Sequence, residues 1–100
     1  MKIIKLVRDK IPAIITSKGG IPVYHVATNE EYEKELYKKL REEMAEFFQK
    51  HDAEELADII EVVYAIAEKH GIPERKLEKL RKNKKEARGG FGEKIILEME

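Results

Sequence analysis

Between Asp52 and His70 the apolar residues recur with a helical period. In projection they cover an arc of roughly 220°, from Val62 through Ile59, Val63, Leu56 and Ile60 to Ala57. A helix so broadly apolar needs neighbours on several sides. The chain has 100 residues, the length of one domain, and only three of its segments read as substantial helices. One copy therefore runs short of cover, and association of two copies into a helix bundle supplies it. The expected architecture is all-α: one domain over residues 1–100, an antiparallel helical bundle completed by homo-oligomerisation as a homodimer or a higher homo-oligomer.

The other segments are set by their stop and start signals. Residues 3–7 suit a short strand. Arg8 to Lys18 reads as a short helix stopped by Gly19-Gly20, with Pro12 tolerable only in its first turn. The first long helix begins with Thr28 or Asn29 as N-cap, has Glu30 and Glu31 at its positive end, and runs to about Lys50. Asp52 followed by Glu55 has capping-box spacing and opens the second, which Gly71 ends after His70. Pro73 suits the first position of a third helix that carries Leu77, Leu80 and Ala87 on a sparse stripe and ends at Gly89-Gly90. Val23 to Thr28 and Ile95 to Met99 alternate like strands, and they are expected to pair as a small β-ribbon from the chain ends.

Several function classes are excluded at once. There is no cysteine, hence no disulfide, thiolate metal site or thiol nucleophile, in keeping with a reducing cytoplasm. No apolar run is long enough for a signal peptide or a membrane span, so a cytoplasmic protein with no membrane partner is expected. Twenty basic residues balance twenty acidic ones, leaving no overall field for nucleic acid. The basic stretch Arg81 to Arg88 is short and lacks interleaved aromatics, so no nucleic-acid partner is expected. The glycines after it form neither a phosphate-cradling loop nor a dinucleotide fingerprint. His25, His51 and His70 are scattered and read as structural or exposed, His51 standing nearest to the acidic segments. The tyrosines and phenylalanines read as packing residues, with Phe91, in a glycine-rich turn, the exception.

The acidic residues carry more information. On the first long helix Leu36, Leu40, Met44 and Phe47 lie within an arc of roughly 80°, and Glu43 falls inside or beside it, with Glu46 roughly 60° further round. On the second, Glu55 borders the apolar arc near Val62 and Ile66, with Asp58 one step outward and Glu61 beyond. Two carboxylate pairs with a three-residue spacing would meet across the helix interface, and their repulsion calls for a divalent cation. Oxygen ligands without His or Cys favour Mg²⁺, or Mn²⁺ in its place, over Zn²⁺, and Mg²⁺ in turn favours phosphate substrates. Spacing alone is weak among seventeen glutamates; Glu30 and Glu33 share it and read as a solvated helix start. The charge distribution adds to it: residues 29–61 hold twelve acidic and five basic side chains, residues 74–88 three and eight.

In order along the chain, KLVRDKIP (5–12), EEMAE (42–46), ELAD (55–58) and RGGF (88–91) together resemble the phosphoribosyl-ATP pyrophosphohydrolase-like branch of the MazG-like all-α nucleoside triphosphate pyrophosphatases. The resemblance covers nearly the whole chain. It implies a helical oligomer that holds Mg²⁺ and hydrolyses a nucleoside triphosphate to monophosphate and pyrophosphate. Carried over by motif, Glu43, Glu46, Glu55 and Asp58 would be the metal ligands, and Glu42 an acidic neighbour of theirs. Glu46 or Glu42 would be the catalytic base. Lys84, Lys85 and Arg88 would bind phosphates, joined by Arg8 and Lys10 from the N-terminal motif. The interval between the acidic motifs, residues 47–54, is shorter than in many relatives.

The opening and closing motifs look most like the stand-alone group that removes non-canonical nucleotides. Cleavage of phosphoribosyl-ATP in histidine synthesis is the alternative within the enzyme class. A non-catalytic helical dimer that binds nucleotide or protein is the alternative outside it.

Overall fold

The computed structural model describes residues 3–99. It is all-helical: α1 spans Ile11–Ser17, α2 Asn29–Lys50, α3 Ala53–Lys69 and α4 Glu74–Arg88. The long helices begin and end where their caps dictate. Thr28 accepts a hydrogen bond from the Glu31 amide at 3.2 Å, and Asp52 accepts one from the Glu55 amide at 3.0 Å, each satisfying an orphan donor of the first turn. At the far end of α3 the amides of Gly71 and Ile72 return to Glu68 O and Ala67 O, with Gly71 at φ 77°. Pro73 stands one residue earlier than expected, as the N-cap of α4 and not within its first turn.

Only His51 and Asp52 separate α2 from α3, and His51 turns the chain in the left-handed region at φ 54°. So short a link makes the two helices antiparallel neighbours. Ion pairs at both ends of the hairpin agree: Lys50 with Glu55 at 3.7 Å beside the link, Lys69 with Glu33 at 3.6 Å at the open end. There the Tyr37 hydroxyl donates to Glu33 at 3.0 Å and lies 3.2 Å from His70 Nε2. That hydrogen bond pulls the Glu33 carboxyl below its usual range and pushes the Tyr37 phenol up. α4 packs on α3 through Tyr64, whose hydroxyl donates to Glu78 at 2.9 Å.

The core of one copy is narrow. Leu36 is 1% exposed, and Val62 and Ala67 are also buried, but Leu56, Ile60 and Val63 of α3 and Met44 and Phe48 of α2 stay exposed. The broad apolar arc is thus covered on one flank only. Both exposed sets lie clockwise of their inward residues when each helix is viewed down its own axis, and in an antiparallel pair that puts them on one side of the hairpin.

The expected β-ribbon does not form. There is no strand among the described residues, and Val23, Val26, Ile95, Ile96, Leu97 and Met99 are exposed. Two isolated strands are marginal without a third strand or a helix to cover one face, and here neither segment gains one. Residues 3–7 also form no strand. They run as coil across the hairpin, tied to α2 by Lys5 and, at its end, to α3 by Arg8. The first helix starts at Ile11, later than Arg8, because Pro12 fits only its opening turn.

Candidate metal centre

Helical periodicity aims Glu43 of α2 and Glu55 of α3 into the hairpin interface. They are 7% and 8% exposed, buried charges in a domain with a very small core. Asp58, one turn along α3 from Glu55, is half-buried on the flank of the interface. One carboxylate oxygen from each of Glu43, Glu55 and Asp58 lies within 4.8 Å of the other two, close enough to serve one cation. The two acidic motifs therefore meet as their positions beside the apolar stripes require.

Burial of Glu43 and Glu55, with the half-buried Asp58 beside them, leaves a charge to be answered. Lys39, one turn before Glu43 on α2, reaches its Oε1 at 3.3 Å, and Lys50 reaches Glu55 Oε1 at 3.7 Å. Glu55 Oε2 is buried with no hydrogen-bond partner. Burial first, then the carboxylates of Glu43 and Glu46, push the Glu55 carboxyl up to about 7, against the opposing pull of Lys50. Two carboxylates side by side need something positive between them, either one shared proton or a cation.

Glu46 is half-buried and close enough to raise Glu55, so it adjoins the cluster without supplying one of the three converging oxygens. Glu42 points to the same side of α2 and meets Lys5 at 4.0 Å. Arg8 donates from Nη2 to Asp58 Oδ1 at 2.7 Å. A cavity of about 860 Å³ opens beside the cluster, lined by Glu43 and Asp58, by Arg8, Lys39 and Lys69, and by an apolar and aromatic wall that includes Leu36, Tyr32 and Tyr64. That volume is in the range of small-molecule sites.

The other sequence-derived cations are elsewhere. Lys10 is exposed and does not line the cavity, although its neighbours Asp9 and Ile11 do. Lys84, Lys85 and Arg88 lie exposed at the end of α4; of α4 only Glu74 lines this cavity, and Arg88 borders a separate hollow with Gly89 to Ile96. His51 caps α2 and stacks edge-on against Phe47 at 5.6 Å, a structural role. His25 pairs with Glu31 at 2.9 Å at the start of α2. Phe91 is fully exposed.

Sequence reasoning passed over the answering cations Lys39 and Lys50 and the cavity residues Tyr32, Tyr64 and Lys69. Lys39 was within reach, since a four-residue spacing to Glu43 puts the two on one helix face. No helix among the described residues is long and apolar enough to cross a membrane. No family model matches the chain, and no curated protein or solved structure matches it either.

Proposed function

We propose that the chain is a Mg²⁺-dependent nucleoside triphosphate pyrophosphohydrolase, with Mn²⁺ able to replace Mg²⁺. It cleaves a non-canonical nucleoside triphosphate to monophosphate and pyrophosphate in the cytoplasm, as a homodimer. The observation that carries the reading is the convergence of Glu43, Glu55 and Asp58 beside a nucleotide-sized cavity, with Glu55 Oε2 buried and unpartnered. An orphaned buried carboxylate oxygen is a strong reason for a cation, and an all-oxygen donor set fits a hard one. The order of the four sequence motifs supplies the reaction class.

Glu43, Glu55 and Asp58 would hold the ion, with Glu46 at its edge. A divalent cation there supplies charge against phosphate oxygens and lowers the pKa of a neighbouring water. Glu46, half-buried and not among the three converging groups, would take the proton from the attacking water; Glu42, equally half-buried but paired with Lys5, is the second choice. Arg8 and Lys39 face the cavity and would bind phosphate, Arg8 with the planar fork that suits it. Lys10, Lys84, Lys85 and Arg88 have no place at the cavity of their own chain and join the site only if an oligomer or a movement brings them. The second copy covers the face of Met44, Phe48, Leu56, Ile60 and Val63, opposite the side where Arg8 crosses the hairpin.

One observation favours a second reading, a binding protein without turnover: Lys39, Lys50 and Arg8 already answer the three carboxylates in part. Pyrophosphate release separates the two. Standard, oxidised and deaminated nucleoside triphosphates and phosphoribosyl-ATP are assayed with Mg²⁺, with Mn²⁺ and with chelator. Metal-dependent release from a modified triphosphate is expected; release from phosphoribosyl-ATP alone moves the function to histidine synthesis. No release by folded protein removes the enzyme reading.

A further inference from the structure

The three carboxylates differ in where their counter-charges come from. Lys39 answers Glu43 from the same helix, and Lys50 answers Glu55 from across a two-residue link. Asp58 is answered by Arg8, fifty residues earlier and outside the hairpin, on a coil segment that Lys5 also ties at 4.0 Å from Glu42. Both members of the Arg8–Asp58 pair are substantially exposed and both line the cavity, so the pair is screened by water and readily exchanged.

We infer that Arg8 has two stations: it pairs with Asp58 while the carboxylates are without a divalent cation, and moves to the phosphate that accompanies one. The inference rests on reading Glu43, Glu55 and Asp58 as a cation site and deepens that reading into an order of events. A guanidinium and a divalent ion on the same carboxylate repel each other, so Arg8 weakens cation binding, and by reciprocity the cation loosens Arg8. The freed guanidinium still has a place beside the cavity, because its neighbours Leu6, Val7, Asp9 and Ile11 line the same cavity. A phosphate group with two oxygens in reach is then its best partner. Lys39 also faces the cavity, but it sits one turn from Glu43 on the same helix and can meet a phosphate without leaving its carboxylate, whereas Arg8 must give up Asp58. Arg8 thereby couples the two ligands: the cation exposes the anion's binding group, and the anion removes the group that opposes the cation.

The test is calorimetric titration of the full chain with Mn²⁺ alone and with the Mn²⁺ complex of imidodiphosphate, which resists hydrolysis. The proteins are wild type, Arg8→Gln, Arg8→Lys and Asp58→Asn. Arg8→Gln is expected to bind Mn²⁺ alone about three- to tenfold more tightly, from the loss of a competing exposed charge, and the imidodiphosphate complex several-fold more weakly. Arg8→Lys keeps the charge and stays near wild type for Mn²⁺ alone, but recovers little of the anion affinity. Equal Mn²⁺ affinity in wild type and Arg8→Gln overturns the inference and leaves the cation site standing. Tighter Mn²⁺ binding with unchanged anion binding overturns the second station. Failure of wild type to bind Mn²⁺ at all overturns the cation site and the inference together.

Discussion

Replacing Ile60 by glutamate tests whether the exposed apolar flank of the hairpin is an interface between two copies. Met44, Phe48, Leu56, Ile60 and Val63 are 40, 66, 45, 52 and 37% exposed, roughly two and a half side chains' worth of uncovered apolar surface, by the usual weight of about 1.5–3 kcal/mol per fully buried side chain worth about 4–7 kcal/mol per copy. A symmetric pair doubles that to about 7–14 kcal/mol, against an association cost of about 4–15 kcal/mol. A gain toward the upper end against a cost toward the lower leaves about 4–8 kcal/mol, a dissociation constant in the micromolar to millimolar range that one charge can upset. Ile60→Glu withdraws about half a buried side chain from each copy, about 1.5–3 kcal/mol for the pair before any cost of burying the carboxylate. The dissociation constant should rise at least roughly tenfold to hundredfold. Sedimentation equilibrium over a concentration series measures it, with circular dichroism to show that the helices persist. A wild-type chain that stays monomeric at about half a millimolar, or an Ile60→Glu chain that associates equally well, refutes the reasoning from exposed area.

Other outcomes follow from the carboxylates and the core. Without metal, Glu55 holds a proton up to about pH 7 in the folded chain, whereas the unfolded chain releases it near 4.5. The folded state therefore binds more protons between those values, and stability should be full below 4.5 and lost as pH rises through 7. A melting series from pH 5 to 8 should show that decline, Mn²⁺ should reverse it at pH 8, and a flat profile would contradict the crowding of Glu55. Glu43→Gln or Asp58→Asn should abolish pyrophosphate release with little loss of folding, because repulsion is relieved as the ion is lost; undiminished turnover by either would remove that residue from the site. Leu36→Ala should cost about 2–5 kcal/mol by urea unfolding, a large share of what a domain of this size holds, and a loss under about 1 kcal/mol would mean that its burial is not what holds the hairpin.

The long helices were legible because their signals are local. Thr28, Asp52 and Gly71 each satisfy backbone groups within four or five residues, and helical period alone put Glu43 into the core and Glu55 at its border. The β-ribbon misled because Val23 to Thr28 and Ile95 to Met99 have strand-like alternation, and alternation says nothing about whether a partner covers the apolar face. The contact of Arg8 with Asp58 was out of reach for a different reason. It joins a coil to a helix fifty residues away, with no periodicity to set its register. Lys84, Lys85 and Arg88 were grouped with the site by motif order, and the path of α4 leaves them outside its cavity.

The two-residue link at His51 and Asp52 also bears on how the chain acquires its site. Glu43, Glu55 and Asp58 lie within sixteen consecutive residues, so closing that link is enough to assemble them, and no distant segment has to arrive first. Contacts of such low sequence separation form early. The site should therefore belong to the folding nucleus, and a cation bound there should act on the rate at which the chain folds more than on the rate at which it comes apart.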